Sequence, residues 1–584
     1  MRRALGVIAL LAAIWTLLVS LSGGVAISLA GLRISSSDTT RPLIVTLVAA
    51  IAYLATSGLA LARDDAYRMR RAVTPPRLVI ALTVAVLIVG IANNSWGAGG
   101  SDSYSYVSQM DLWLSGNLKV PVTMAGQVPW PNALATFTPF GYSAVADESS
   151  IAPITGPGLP LLMAAFKAIG GHAAAFLVVP ITGALLVWTT FLIGRQVASD
   201  LVGISAAWLV ATSPTFLMMF KSTMSDVPAA AFWALAAYGM LGTSLRSAVL
   251  AGLAASVAIL IRPNLVPLAV VIGVCVLAGS ADLKGPRRAA VFGIAVLPGA
   301  LAVAAINRSL FGSPLSSGYG ELTSLFSLGY VPSTIASYAR WLIETQTPIV
   351  LAGVFVFRVA PLLGWMLLAG WMLYAAYPTF NEWWSLRFLL PAWPAIFVGT
   401  SAAVAWLFDR QPRWGRAATV ACVIALGVYG LTVTTQRHVF TGDEGERRYA
   451  TIAQLVEANT EPDAMIMASI HAGSLRYYAG RATLRFDLLN EEWLDRAAAW
   501  LDAHGRHPYV LIEDWEIPAF RKRFAQSSRL GDLRLAPALV YEAYRIPGRV
   551  YLFDLLRENG PTVEPPPIRD PRPLCPLPAR PPQL

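Results

Sequence analysis

The chain is poor in charge, in cysteine and in histidine. Of its 584 residues 13% are charged and 55% are hydrophobic; soluble domains carry about 25% charged residues, so an ordinary soluble enzyme is excluded. The three cysteines are Cys275 and Cys422, inside apolar runs, and Cys575 near the C-terminus, and they follow neither a metal-ligand spacing nor a disulfide framework. HExxH, P-loop, GxGxxG and CxxC patterns are absent, which removes zinc-protease and ATP-driven chemistry. The alternating ten-residue segments of a membrane barrel are missing, and no internal repeat suggests the inverted halves of many transporters. The net charge of +10 comes mostly from loop arginines, which set topology, so no nucleic-acid partner is expected.

What fills the sequence instead is apolar runs near the roughly 18–20 residues that cross a bilayer. About thirteen spans are predicted, at 4–31, 43–62, 78–95, 172–194, 201–219, 227–243, 247–261, 264–279, 289–306, 341–357, 359–378, 388–408 and 417–435. The first follows Arg2 and Arg3 as a signal peptide would, but its run is long for an h-region, and it is read as a transmembrane helix. The positive-inside rule places Arg2, Arg3, Arg63, Arg68, Arg70, Arg71, Arg77, Arg195, Arg246, Lys284, Arg287, Arg288, Arg358, Arg410, Arg413 and Arg416 in the cytoplasm. Long outer loops then lie at 96–171 and 307–340, and the chain is expected in the cytoplasmic (inner) membrane of a bacterium with its N-terminus inside. Its C-terminal region is then extracytoplasmic.

Three regions are expected: a helical membrane region at 1–440, a small extracytoplasmic α/β domain at 441–557 and a Pro-rich disordered tail at 558–584. Within the outer loop, Ser103–Asn117 reads as an amphipathic helix. Tyr106, Val107, Met110, Trp113 and Leu114 share one face and a solvated Asp111 lies opposite, the pattern of a helix in the membrane interface. The segment near 153–168 is apolar but too short to span, and is expected to hug the membrane. In the C-terminal domain, strands are predicted at Ala464–Ala468, Thr483–Phe486 and Tyr509–Ile512, and a helix at Asn490–His504.

Asp102, in Gly99-Gly100-Ser101-Asp102-Ser103-Tyr104-Ser105-Tyr106, follows the third span on the outer face. It suits a helix N-cap and equally a general base beside an apolar wall. Asp226, in Met224-Ser225-Asp226-Val227-Pro228, opens the sixth span on the same face, again as a cap or as a second functional carboxylate. Asp147 and Glu148, in the same loop, read as solvated acids or as contacts to an acceptor or metal, with Tyr104 and Tyr106 as further candidates. No cofactor follows from these residues, and a divalent metal on outer-face carboxylates stays open. Arg262 and Arg387 sit near the outer boundary against the charge bias, as snorkelling side chains or as clamps on a lipid phosphate. His471, between a predicted strand and helix, is either structural or part of an anion site at a helix start.

Several of these segments, in this order, resemble the GT-C superfamily of integral-membrane glycosyltransferases. The likeness is to the bacterial branch similar to protein O-mannosyltransferases and the lipid A aminoarabinose transferase. They are Gly100 to Tyr106, Pro157-Gly158-Leu159-Pro160-Leu161-Leu162, Ser225 to Pro228, Phe311 to Pro314 with Gly318-Tyr319-Gly320, and Arg387-Phe388-Leu389-Leu390-Pro391, all within about 78–410. The resemblance implies a polyprenyl-phosphate sugar donor and a glycan, lipid or protein acceptor. It also implies an inverting displacement at the outer face, with Asp102 as base, Asp226 as the second acid and Arg387 as the phosphate-binding arginine. Two departures stand out. The aspartate follows the third span instead of the first, implying two added N-terminal helices, and Ser103 occupies the position where many members carry glutamate. A transporter or lipid flippase is the competing class, and would carry mid-span charges that are nearly absent. A polysaccharide polymerase or ligase with an undecaprenyl-diphosphate donor would favour more outer-loop Arg and His.

Overall fold

The computed structural model describes residues 2–22, 25–29, 32–36, 38, 40–72, 74–279, 284–320, 325–441, 443–543, 548–557 and 564–569. The chain is an integral membrane protein built mainly of helices. Among the described residues six helices are long and apolar enough to cross a bilayer, or seven counting one pair bent by 108°, and six more apolar helices are 10–17 residues long. Each of the thirteen expected spans overlaps a helix among the described residues, but several differ from straight rods and the first runs past its helix into a strand. The helix from Arg2 ends at Ser22, and Val25–Leu29 then pairs antiparallel with Leu32–Ser36, where β-branched Val25, Ile27 and Ile34 suit a strand. The segment expected at 341–357 is the bent pair. Val331–Gln346 stops at Thr347, at φ +68°, because the residue before a proline is barred from the helical region, and Pro348 starts the next turn. For the same reason Asp200–Ala211 is separated from Pro214–Met219.

Small residues close the bundle. A Cβ on Gly194 would lie 2.7 Å from the Gly203 Cα, so Val178–Val197 and Asp200–Ala211 touch backbone to backbone. The helix Asp226–Leu241 is almost wholly buried against Val178–Val197 and Leu245–Ile261. Outward faces carry exposed Val270, Val274, Ile294, Leu297 and Leu301, as lipid contact requires.

At one end of the bundle, residues 441–569 form a six-stranded mixed sheet. Its order is Ile568–Arg569, Leu539–Glu542, Arg549–Asp554, Pro508–Glu513, Met465–Met467, Ala482–Leu484. The last three coincide with the expected strands, and Leu494–Ala503 with the expected helix. In the segment expected to be a disordered tail, Ile568–Arg569 pairs parallel with Tyr541–Glu542, while 558–563 and 570–584 lie outside the described residues. The sheet region packs on the loop 96–171, which has a three-stranded sheet of its own, ordered Val120–Pro121, Ser150–Pro153, Tyr142–Ala144. Arg476 donates to the Phe137 carbonyl at 2.6 Å, and Trp130 meets Trp500 edge-on at 5.7 Å.

This contact corrects the expectation of an interfacial helix. The helix is Asp102–Leu114, and on its expected apolar face Tyr106, Val107 and Met110 are buried in protein, Trp113 is partly buried and Leu114 is exposed. Asp111 is partly buried and paired: Lys167 donates to one oxygen at 2.5 Å and Tyr477 to the other at 2.7 Å. A stripe that fits lipid headgroups fits a protein wall equally well.

Gly203→Val should disrupt the bundle, since its Cβ would stand 2.6 Å from the Phe191 carbonyl oxygen. Overpacking costs about 1–3 kcal/mol, to be read as a lower thermal unfolding midpoint in detergent.

Candidate active site

Four charged side chains meet at the end of the bundle that carries the sheet. Asp102 lies in the first turn of its helix, with its carboxylate about one-third exposed. It is not the N-cap: Ser101 holds that position, and no side-chain cap bond is made. Arg387 Nη2 stands 3.4 Å from Asp102 Oδ2. Arg387 belongs to the 3₁₀ segment Trp383–Ala392, where Pro391 interrupts regular helix. Its guanidinium is buried among aromatic rings, with its carbon 5.0 Å from the Phe388 centroid, 5.3 Å from Trp384 and 5.8 Å from Phe380. Its Nε–H is buried without an acceptor among the described residues.

Asp226 and Arg262 form the second pair. Ser225, not Asp226, is the N-cap of the helix Asp226–Leu241, so the capping expectation fails here too. Asp226 is completely buried, and Arg262 Nη2 lies 2.8 Å from its Oδ1. That contact is an ion pair off the hydrogen-bond line, and among the described residues neither carboxylate oxygen accepts a hydrogen bond. Arg262 reaches inward because Pro263 halts the helix Leu245–Ile261 and turns the chain. Its Nε donates to Ser225 Oγ at 3.0 Å and its Nη1 to the Tyr374 hydroxyl at 3.3 Å. It is therefore engaged on all sides and does not snorkel.

Phe388 connects the pairs, with the Arg262 guanidinium carbon 5.4 Å from the same ring that Arg387 faces. Tyr106 connects them again: its hydroxyl donates to Ser225 Oγ at 2.8 Å, and burial and the charge of Asp102 raise its pKa. Tyr319 stands within electrostatic reach of Asp102, Tyr106 and Arg262.

The other candidates lie elsewhere. Asp147 is committed to Lys119 at 2.5 Å and to the amides of Ser149 and Ser150, and Lys119 above all holds its carboxyl well below the usual range. Glu148 is exposed at φ +55° in the same turn. Tyr104 faces the sheet region, its ring filling the space beside Gly473. His471 is buried, with its Nε2 2.9 Å from Glu513 Oε1, and burial holds its pKa below the ordinary value. No group of three or more His, Cys, Asp or Glu among the described residues is placed to hold a metal ion; Asp102 and Asp226 each face an arginine.

Sequence reading missed Glu446, in the helix Asp443–Asn459. Its Oε2 accepts from the Gly99 amide at 2.8 Å and from the Ser103 hydroxyl at 2.9 Å, on either side of Asp102. Burial raises its carboxyl pKa, opposed by these two hydrogen bonds and by Lys221, itself a buried cation that the sequence reading passed over. The one sequence signal was an acid in the charge-rich stretch where the spans end.

No protein-family model and no curated protein matches the sequence. Among solved structures, apo ArnT from Cupriavidus metallidurans is similar at TM-score 0.50 and 13% identity, over 83% of this chain and 98% of that one. ArnT bound to undecaprenyl phosphate gives 0.49 at 13% identity with the same coverage. The apo oligosaccharyltransferase of Archaeoglobus fulgidus gives 0.47 at 12% identity, over 82% of this chain and 75% of that one. The chain shares the fold of ArnT.

Arg262→Ala leaves the buried Asp226 uncompensated, which costs about 3–5 kcal/mol. Arg262→Ala with Asp226→Asn should restore much of the thermal unfolding midpoint in detergent; a double variant no more stable than the single one would refute the pairing.

Proposed function

With the shared fold as premise, we propose that the chain is a glycosyltransferase that moves a sugar from a polyprenyl-phosphate donor to an acceptor hydroxyl. The reaction takes place at the outer face of the cytoplasmic membrane and inverts the anomeric centre. The observation that carries this reading is the Asp102–Arg387 pair: a partly exposed carboxylate beside a buried, ring-walled guanidinium with an unused N–H. ArnT, which has this fold, has been solved with undecaprenyl phosphate, and a lipid phosphate is the chemistry that a planar guanidinium fork binds best.

A lipid-linked donor is confined to one leaflet, so the reacting groups must stand at headgroup height, where a helix end and a broken 3₁₀ segment leave side chains free. Asp102 takes the proton of the acceptor hydroxyl as that oxygen attacks the anomeric carbon. The bond from that carbon to the phosphate oxygen breaks on the opposite side, and the polyprenyl phosphate leaves with the electron pair. Arg387 holds the departing phosphate, and the aromatic walls strengthen this contact by excluding water. In the resting state Arg387 rests against Asp102, and an incoming donor phosphate competes for the guanidinium and releases the carboxylate. Arg262, already neutralised by Asp226, sets the position of Phe388 and Tyr106.

The test uses the purified chain in proteoliposomes with a panel of undecaprenyl-phosphate hexoses and pentoses, reading release of undecaprenyl phosphate. Asp102→Asn should reduce turnover of the best donor roughly 10²–10⁴-fold, and near wild-type turnover would remove its role as base. Arg387→Ala should weaken binding of undecaprenyl phosphate itself by about tenfold or more; unchanged affinity would remove the clamp.

A further inference from the structure

The segment that delivers Asp102 has no regular structure of its own. Between the helix ending at Ala92 and the one beginning at Asp102, the backbone passes through positive φ at Trp96 (49°) and Gly100 (59°). Its polar groups need partners, and four of its backbone groups find them beyond the last apolar span. The Ala98 amide donates to the Tyr478 hydroxyl at 2.8 Å and the Gly99 amide to Glu446 Oε2 at 2.8 Å. Arg447 donates to the carbonyls of Asn94 at 3.0 Å and Ser95 at 3.2 Å. The Tyr449 ring lies so close to Gly99 that a Cβ there would stand 2.0 Å from it. Glu446 differs from the rest because the same oxygen also accepts from Ser103 at 2.9 Å, so one carboxylate atom joins the residues on both sides of Asp102.

We infer that Glu446 is a positioning residue for Asp102, holding its carboxylate at the donor site, so that turnover depends on the region beyond the last span. The inference rests on Asp102 acting as the base. Among the described residues no hydrogen bond or ion pair joins Glu446 to Arg387, which it reaches only through Asp102, and displacing Asp102 would free the guanidinium, so loss of Glu446 should not weaken phosphate binding. This separation gives a signature that a merely structural role lacks: loss of turnover without loss of lipid-phosphate affinity.

The experiment compares full-length Glu446→Ala and Glu446→Gln in proteoliposomes with the best donor of the panel, and measures undecaprenyl phosphate affinity and amide hydrogen exchange over 94–103. In Glu446→Ala, turnover should fall about 10²-fold, the scale of a misplaced catalytic group, with affinity not weakened and exchange over 94–103 accelerated. Glu446→Gln keeps an acceptor oxygen and should recover most of the turnover. In an Asp102→Asn background, Glu446→Ala should cost nothing further. Full turnover in Glu446→Ala, a parallel loss of affinity and turnover, or an additive loss on top of Asp102→Asn would overturn the positioning role. A fully active Asp102→Asn would instead overturn the base reading, whereas an inactive Asp102→Asn beside a fully active Glu446→Ala sinks the positioning role alone. Should Glu446→Ala not fold, Ser103→Ala decides: a loss of about tenfold at unchanged affinity supports the role, and full activity refutes it.

Discussion

A carboxylate sealed inside an apolar helical bundle has to be compensated by a cation that can reach it, and Asp226 imposes that condition on everything around it. Arg262 meets it only because the chain breaks at Pro263, which lets the side chain turn inward from a helix end. The same guanidinium then ties Ser225 and Tyr374 and sits over Phe388. Through Ser225 it reaches Tyr106, and so the helix that begins at Asp102. One buried pair thus fixes the relative placement of five segments distant in the chain, including both that carry the Asp102–Arg387 pair.

Around that anchor, the charges divide into committed and available groups. Arg262 and Asp226 neutralise each other in a sealed position, whereas Asp102 is partly exposed and Arg387 keeps an unused N–H. A site of this type can accept an anion without dismantling its own framework. The rings of Phe380, Trp384 and Phe388 hold the available guanidinium in a low-dielectric setting, where charge interactions are stronger than in water. The region beyond the last span closes the other side through Glu446, Arg447, Tyr449 and Tyr478.

Much of this was legible, residue by residue. Asp102, Asp226, Arg262 and Arg387 were all marked, because charge is rare enough in this chain for each boundary residue to need a reason. Their assignment as caps or snorkelling cations failed where long-range partners supplied a different one: both aspartates lie one residue inside their helices, and Arg262 is saturated with contacts. The face of Asp102–Leu114 was identified in part, through Tyr106, Val107 and Met110, but its covering was not, since Tyr104 meets Gly473 and Asp111 meets Tyr477, residues more than 360 positions away. Glu446 was invisible for a related reason. An acid in a polar stretch reads as solvated until the fold brings a backbone amide to it.

What the sequence by itself determined was the membrane class, the apolar helices, the strands of the C-terminal region and the presence of acids and arginines at helix ends. These are written in composition, period and local stereochemistry, which act over a few residues. The tertiary structure alone decided that Asp102 would meet Arg387 across 285 positions, that Asp226 would be sealed against Arg262, and that Glu446 would bridge Gly99 and Ser103 across more than 340. Such pairings depend on which helix faces close together and where prolines bend the chain, and local spacing carries no record of either.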